Sequence, residues 1–266
     1  MTPSEIRELL ARHGVRQSRA LGQNFLADPN TARRIVRLAE VQPDERVVEV
    51  GPGVGSLTVA LADAGVHVCA IELDRHLVPI LEEVMSGRDV EIVHDDALHV
   101  DWGARLGSGP WIMVANLPYN VAATVVVRAL ETAPMITRML VMVQREVGER
   151  LAAGVGDDAY GAVSVKVAYY ATAKFVGRVS PNVFVPKPKV ESALVRFVRH
   201  EHPPVQIRDV DRMFELVRAG FATRRKTLRN TLDGRVSPER FATAHVDPQA
   251  RAETLSLADW ARLADA

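Results

Sequence analysis

Apolar and polar positions follow two alternating rhythms between residues 46 and 152. Short apolar runs of strand length recur, and the segments between them carry apolar residues at helical spacing. The strand candidates are residues 46–50, 66–72, 90–94, 111–115 and 138–143, with helix candidates at 56–64, 76–86, 121–132 and 144–152. This alternation predicts an α/β fold with a parallel, doubly wound sheet.

Two later runs break the rhythm. Residues 162–171 and 192–198 are apolar enough for strands, but neither is followed by a segment that could form a covering helix. Two final strands without a standard crossover connection indicate that one of them runs antiparallel. We therefore predict a Rossmann-like sheet that is mostly parallel and whose last strands include an antiparallel one.

The two ends of the chain have a different character. Residues 3–13 suit a short helix, and Asp28 followed by Pro29 is a start signal for another. Residues 14–26 between them are basic and rich in glycine and amides, which fits neither period. Beyond a linker at 200–204, only short helical patterns remain, at 209–220, 222–231, 237–244 and 256–264.

These patterns predict two domains. The catalytic domain is expected over residues 1–202, with an N-terminal basic segment over 1–27, and a small all-α domain over 203–266. Lysine plus arginine equals aspartate plus glutamate, 33 each in 266 residues, so the net charge indicates no partner. The single cysteine, Cys69, lies in an apolar run, so we expect it to be buried.

Several classes of protein are disfavoured by features that the sequence lacks. No apolar run approaches the length that spans a membrane, and no signal-peptide pattern is present. One cysteine and scattered histidines give no metal-ligand spacing. We expect a cytoplasmic protein with neither a membrane partner nor a metal.

A glycine-rich turn follows the first strand candidate. Gly51, Gly53 and Gly55 stand at alternate positions, and a helix pattern begins at Ser56. Glycines bring backbone N–H groups close to a ligand, and a helix start adds partial positive charge. Glu72 ends the second strand candidate, 21 residues after Gly51, where a carboxylate binds ribose hydroxyls in a βαβ nucleotide site. This spacing predicts a nucleoside-type ligand.

Polar residues also follow the third and fourth strand candidates. The carboxyl ends of parallel strands meet at one edge of a sheet, so Asp96 and Asn116 are expected beside Glu72. Asp96 can accept a hydrogen bond from an adenine amino group, and the Asn116 side chain can accept one from an exocyclic amine. Tyr119 can stack on the ring that carries this amine. In isolation, the segment 116–119 is as well explained as a proline turn with an exposed tyrosine.

Taken together, these motifs resemble the class I S-adenosylmethionine-dependent methyltransferases. The resemblance rests on Glu49-x-Gly51-x-Gly53-x-Gly55, the acid Glu72, Asp96-Ala97 and Asn116-Leu117-Pro118-Tyr119. The last motif is similar to that of enzymes that methylate the amino nitrogen of adenine in ribosomal RNA. Residues 22–26 and 182–192 resemble further segments of those enzymes, and 224–230 with 247–253 resemble the C-terminal domain of their KsgA (RsmA) branch. That branch dimethylates two adjacent adenines near the 3′ end of small-subunit rRNA.

The resemblance implies a role for each matching residue. S-adenosylmethionine would be the methyl donor, bound by Asn24, Leu26, Gly51, Gly53, Glu72, Asp96 and Asn116. The catalytic set would be Asn116, Leu117, Pro118, Tyr119 and Phe184, with the rings of Tyr119 and Phe184 on either side of a flipped adenine. The resemblance implies no metal.

Basic residues gather in two stretches that contain no acid, 161–190 and 216–232. Each alone would be an ordinary solvated face, but two beside a base-modifying crevice are better explained as phosphate contacts. The expected RNA contacts are Lys187, Lys189, Arg224, Arg225, Lys226 and Arg229. The expected partner is the small ribosomal subunit with its 16S rRNA, and no DNA partner is expected.

Four other functions are alternatives to this one. A large-subunit rRNA adenine methyltransferase of the antibiotic-resistance type shares the core motifs but not the C-terminal ones. A DNA adenine methyltransferase usually has proline where this chain has Leu117. A dinucleotide-dependent oxidoreductase would explain the glycines and leave the 116–119 segment without a role. An assembly factor that binds immature subunits with little catalysis stays open, because both roles can coexist.

Overall fold

The computed structural model of the chain describes residues 1–16 and 22–266. Residues 17–21, which belong to the predicted irregular segment, lie outside this description. The chain forms two compact units, the first made of Met1–Gly148 and Lys174–Arg199 and the second of Glu149–Ala173 and His200–Ala266. The predicted division at residue 202 differs from this, because the second unit also takes in a stretch from the middle of the chain.

Seven strands form the main sheet, and two short ones pair separately. The strands are β1 (Phe25–Leu26), β2 (Arg46–Val50), β3 (His67–Glu72), β4 (Val90–His94), β5 (Trp111–Asn116), β6 (Ile136–Gln144), β7 (Ala171–Val179), β8 (Phe184–Val185) and β9 (Ser192–Arg199). The main sheet has the order β4-β3-β2-β5-β6-β9-β7. Strands β2 to β6 pair in parallel, and β9 is antiparallel to β6. The five predicted strands and the antiparallel ending are confirmed.

Twelve α-helices are present in the described residues. They are α1 (Pro3–Arg12), α2 (Pro29–Ala39), α3 (Ser56–Ala62), α4 (Val78–Met85), α5 (Trp102–Leu106), α6 (Ala122–Thr132), α7 (Arg145–Leu151), α8 (Ala162–Tyr170), α9 (Val210–Phe221), α10 (Leu228–Thr231), α11 (Pro238–Thr243) and α12 (Leu257–Asp265). Asp28 caps α2 as predicted, accepting the Thr31 amide at 2.8 Å. Such a cap satisfies one of the four backbone donors that a helix start leaves free.

The prediction of a strand over 162–171 is wrong, because α8 occupies this run and the strand β7 follows it. Val165 and Tyr169 stand four residues apart, which places both on one helical face, and both are buried in the core of the second unit. The Tyr169 ring meets that of Phe214 edge to face, with centroids 5.5 Å apart. A short apolar run does not distinguish strand from helix, and packing against α9 decides it here.

The helix predicted over 222–231 is also shorter than expected. Only Leu228–Thr231 is helical, and the preceding basic stretch forms turns. Arg224, Arg225 and Lys226 are consecutive exposed cations, so this stretch has no apolar side chain to bury and its like charges repel in a compact helix.

The core of the first unit surrounds the parallel strands. Val47 on β2, Val68 on β3 and Ile112 on β5 pack in one buried cluster with Ile35 on α2 and Leu61 on α3. Cys69 on β3 is fully buried, as predicted. Because this core fixes the parallel strands, it also fixes the edge at which their carboxyl ends meet.

The two-stranded sheet joins segments that are distant in the sequence. β1 pairs with β8 antiparallel, with Phe25 opposite Val185 and Leu26 opposite Phe184. The Ala27 amide continues this pairing by donating to the Val183 carbonyl at 2.7 Å. Residues 22–27 are therefore held beside the loop that precedes β9.

Candidate active site

A cavity opens at the carboxyl ends of β2, β3, β4 and β5, which is where open α/β sheets bind ligands. Ten of the eleven residues predicted to bind cofactor or act in catalysis line it. They are Asn24, Leu26, Gly51, Gly53, Glu72, Asp96, Asn116, Leu117, Pro118 and Tyr119. The remaining one is Phe184.

Phe184 is the exception to the predicted arrangement. Its side chain is 3% exposed and packs in the core cluster that contains Leu26 and Leu194. Phe184 belongs to β8, which pairs with β1, and it is not among the residues that line the cavity. Its role beside the target base stays a prediction. Sequence alone gave no sign of the pairing, since each of the two strands has only two residues.

The glycine turn brings backbone close to the cavity. Gly53 has φ 63° and so occupies the left-handed region that favours glycine. A Cβ atom there would lie 2.9 Å from Cδ1 of Phe25. The turn can therefore pack against β1 only because this residue has no side chain.

Glu72, at the end of β3, is hydrogen-bonded to the glycine turn. Its Oε2 accepts the Gly53 amide at 3.0 Å, and its Oε1 accepts the Asp74 amide at 2.8 Å. The side chain is 6% exposed, and burial raises its pKa against the opposing effect of these backbone amides. Both oxygens retain lone pairs for further donors, which suits a pair of ribose hydroxyls.

Asp96 is held by its own loop after β4. Oδ1 accepts the Leu98 amide at 2.9 Å, and Oδ2 contacts Nδ1 of His99 at 2.9 Å. Partial burial alone would raise the carboxyl pKa, but the Leu98 amide, His99 and the charge of Arg128 together lower it. Asp96 is thus an anionic acceptor at neutral pH, as recognition of an amino group requires.

The loop after β5 carries Asn116 and Tyr119. Nδ2 of Asn116 donates to the Asn24 carbonyl at 3.2 Å, which leaves Oδ1 as the acceptor on the other side of the amide. The amide of Leu117 donates to the Met142 carbonyl at 3.0 Å and ties the loop to β6. The phenol of Tyr119 is hydrogen-bonded to Ser192 at 2.7 Å. The two side chains expected to meet the target are therefore both oriented by neighbours.

Residues 22–26 form one wall of the cavity. Nε2 of Gln23 donates to Oδ2 of Asp74 at 2.7 Å, which links this wall to the loop after β3. Together with the Asn24 carbonyl that orients Asn116, this contact makes the N-terminal segment part of the site.

Leu73 and Glu49 also line the cavity, and neither is among the predicted site residues. Leu73 is 50% exposed beside Glu72 and offers an apolar surface to a flat ring. Glu49 is 1% exposed, and its Oε2 has no hydrogen-bond partner among the described residues. Burial raises the pKa of Glu49 to about 8, with a smaller opposing effect of the Thr58 hydroxyl and a small further rise from Glu72. The sequence could have pointed to Glu49 through its position two residues before Gly51, within the glycine motif.

The buried carboxyl of Glu49 predicts a pH-dependent stability. Its pKa is raised above the ordinary value of 4.5, so the folded state binds more protons than the unfolded state up to about pH 8. The free energy of unfolding therefore falls as pH rises through this window, by up to ~1.4 kcal/mol per pH unit. Glu49→Gln removes this slope, and its melting temperature should rise relative to the wild type between pH 5 and pH 8. A difference that stays constant with pH would contradict a protonated Glu49.

The predicted RNA contacts are all on the surface. Lys187 and Lys189 are exposed in the loop between β8 and β9 of the first unit. Arg224, Arg225, Lys226 and Arg229 are exposed in the second unit, where Arg224 donates to the Asp158 carbonyl at 2.5 Å. Each can reach a phosphate without loss of core packing.

The described ranges, 1–16 and 22–266, lack two features. They contain no cluster of three or more histidine, cysteine, aspartate or glutamate side chains that could hold a metal ion. None of their helices combines the length and the apolar character needed to cross a membrane.

Comparison with known proteins agrees with this geometry. Ribosomal RNA small subunit methyltransferase A of Streptomyces coelicolor is 47% identical, over 99% of this chain and 95% of that protein. The protein of the same name from Geobacillus thermodenitrificans is 41% identical, over 100% of this chain and 96% of its own length.

Solved structures show the same architecture. The crystal structure of the 23S rRNA methyltransferase ErmE is 29% identical with a TM-score of 0.71, covering 91% of this chain and 98% of that one. A dimethyladenosine transferase from Plasmodium falciparum is 22% identical with a TM-score of 0.74, over 90% of this chain and 95% of its own, and this likeness shows the fold. A family profile described as ribosomal RNA adenine dimethylase matches residues 14–266. The chain belongs to the ribosomal RNA adenine dimethylase family.

Proposed function

We propose that this protein transfers methyl groups from S-adenosylmethionine to the N6 amino groups of two adjacent adenines near the 3′ end of 16S rRNA. The observation that carries the proposal is the meeting of Glu72, Asp96 and the 116–119 loop in one cavity. Family membership and 41–47% identity to small-subunit methyltransferases support the reaction and the target. A ribosomal target places the proposed reaction in the cytoplasm.

The residues of the cavity fit S-adenosylmethionine. Glu72 supplies acceptors for the ribose hydroxyls, Asp96 supplies one for the adenine amino group, and the glycine turn lets backbone approach. Oε2 of Glu49 is a buried oxygen without a hydrogen-bond partner in the part of the chain that the structure describes, as a cavity for an ammonium-bearing ligand should offer. When bound, this cofactor supplies an electrophilic methyl group on a sulfonium.

The work left to the protein is to position the nucleophile. The amino nitrogen of adenine is a weak nucleophile because its lone pair is delocalised into the ring. Acceptance of its N–H bonds by Oδ1 of Asn116 and the Leu117 carbonyl favours a more pyramidal nitrogen. Tyr119 stacks on the base, a contact worth ~1–3 kcal/mol. The new N–C bond forms as the methyl–sulfur bond breaks, and the nitrogen, now cationic, releases its proton to water. Holding the reactants in line supplies most of the acceleration, so the mechanism needs no strong general base.

Access to the amine requires the adenine to leave its stack. The exposed basic residues of the two units would hold the surrounding rRNA by its phosphates, with the second unit as the rRNA-docking domain. We infer that recognition depends on the shape of the folded RNA, because phosphate contacts carry no sequence information.

The reaction is tested by transfer of labelled methyl groups to small subunits from a strain that lacks this modification. Large subunits and protein-free rRNA run beside them, and the product nucleosides are identified. Dimethyladenosine in small subunits is the expected result. Label in large-subunit RNA would favour the function that the ErmE likeness suggests, at 29% identity. Binding to small subunits without transfer of label would indicate that the protein acts as an assembly factor.

The proposed phosphate contacts predict a change in salt dependence. Arg224→Gln removes one cation from the acid-free stretch and should lower the slope of log affinity against log salt by about 1. Arg208→Gln is the matched control, since Arg208 is exposed in the same unit and paired with Asp265 at 3.9 Å. Filter binding to small subunits at several salt concentrations measures both slopes. Equal slopes for the two variants would exclude Arg224 from the interface.

A further inference from the structure

We propose that Ser192 is a positioning residue for methyl transfer, because its hydroxyl holds the ring of Tyr119 in place for the target base. This inference rests on the proposed function, in which Tyr119 stacks on the adenine. It adds a residue that does not line the cavity, since Ser192 is absent from the wall that contains Tyr119.

The contact is direct and short. Oη of Tyr119 and Oγ of Ser192 lie 2.7 Å apart, the usual distance of a well-formed hydrogen bond between hydroxyls. Ser192 is 0% exposed, so water does not compete for its hydroxyl. Burial raises the pKa of the Tyr119 phenol, and the bond to Ser192 opposes that rise.

The backbone of Ser192 is held in position because this residue belongs to the main sheet. It opens β9 and stands opposite Gln144 in the antiparallel ladder with β6. The ladder continues one step further, where the Arg145 amide donates to the Glu191 carbonyl at 3.0 Å. Tyr119, in contrast, lies in a turn after β5. The hydrogen bond therefore ties a ring on a loop to a fixed point in the sheet.

Neither hydroxyl makes a second hydrogen bond within the described residues. Ala193 and Leu194, which follow Ser192, are fully buried, so an alanine at 192 would satisfy packing. A buried hydroxyl costs free energy unless it is hydrogen-bonded. Stacking on a base uses only the face of an aromatic ring, so phenylalanine would stack as well as tyrosine. Both hydroxyls have a role if their hydrogen bond sets the plane of the Tyr119 ring.

A fixed ring plane matters because rate depends on alignment. A ring that turns freely loses conformational entropy when the base enters, and this loss raises the free energy of the reactive complex. The bond orders the ring before the base arrives. Loss of the bond should therefore lower kcat, while affinity for the subunit, which comes mainly from phosphate contacts, should change little.

The test compares Ser192→Ala, Tyr119→Phe, their double variant and Tyr119→Ala in the full-length protein. The substrate is small subunits that lack the modification, with labelled S-adenosylmethionine. We expect Ser192→Ala and Tyr119→Phe each to lower kcat about tenfold with KM for subunits within about twofold. The double variant should be no worse than either one, because both remove the same bond. Calorimetric affinity for S-adenosylmethionine should stay unchanged.

A matched control separates positioning from stability. Ser164 is a buried serine of the second unit whose hydroxyl donates to the Arg150 carbonyl at 2.5 Å. Ser164→Ala should lower the melting temperature and leave kcat unchanged. If Ser192→Ala does not fold, Tyr119→Phe carries the test, since it removes the bond without altering the sheet.

The outcomes are distinct. Wild-type kcat in Tyr119→Phe, or losses that add in the double variant, would overturn the role of Ser192. If Tyr119→Ala abolishes transfer in the same experiment, the proposed function survives that result. Wild-type transfer by Tyr119→Ala would instead remove stacking on Tyr119 from the proposed function.

Discussion

Asn116→Ala is expected to lower methyl transfer about 1,000-fold, with little change in affinity for the small subunit. The structure gives the reason in the orientation of this amide. Its Nδ2 donates to the Asn24 carbonyl at 3.2 Å, which leaves Oδ1 to accept from the target amine in the reaction that we propose. Alanine removes the acceptor itself, while the exposed cations that we propose as phosphate contacts stay in place.

The measurement is single-turnover transfer from labelled S-adenosylmethionine together with subunit binding by filtration. Asn116→Asp keeps an acceptor but loses the donor to Asn24, so it should fall between wild type and the alanine variant. Asn30→Ala is the control, since Asn30 only accepts from Arg33 on the surface of α2. Equal loss of turnover and of subunit binding in Asn116→Ala would argue against a role in catalysis.

Glu72→Gln is expected to weaken binding of S-adenosylmethionine by about 100-fold. The carboxylate accepts the Gly53 and Asp74 amides with separate oxygens, so an amide NH₂ in its place must face one of these donors. The variant then disturbs the turn and loses a charge-assisted acceptor for ribose, which is worth ~1.5–3 kcal/mol. Isothermal titration calorimetry measures the change in affinity directly.

The pH dependence of this binding has a defined sign. Burial raises the pKa of Glu72, so acidification protonates the group earlier than an ordinary glutamate and weakens cofactor binding. The loss should be present in wild type and absent in Glu72→Gln. Glu91→Gln is the control, because Glu91 on the neighbouring strand faces solvent and pairs with Arg105 at 3.5 Å. Wild-type affinity in Glu72→Gln would remove this residue from the site.

Much of this architecture could be predicted from the sequence. Strands β2 to β6 were predictable because each is a short apolar run bounded by a helical pattern. The topology of a doubly wound sheet then brings Glu72, Asp96 and Asn116 to one edge, whatever the details of packing. Local pattern and global fold agree over this stretch.

The failures have a common physical cause, which is packing between distant segments. The run 162–170 forms a helix because Tyr169 packs against Phe214, 45 residues further along the chain. Phe184 lies in the core because β8 pairs with a two-residue strand near the N-terminus. The bond between Tyr119 and Ser192 joins a turn to a strand that lies 73 residues further along the chain. The periodicity of apolar residues reflects only local structure, so it does not predict contacts between distant segments of the chain.

The buried thiol of Cys69 has a practical consequence for experiments with fluorescent labels. It is the only cysteine in the sequence, it is fully buried, and burial raises its pKa to about 12. Thiol-reactive dyes attack the thiolate, so the native cysteine should remain unlabelled in the folded protein. A cysteine introduced at an exposed position will then accept a single fluorophore in an otherwise wild-type background. Distances from the enzyme to labelled ribosomal subunits become measurable without first removing a core residue.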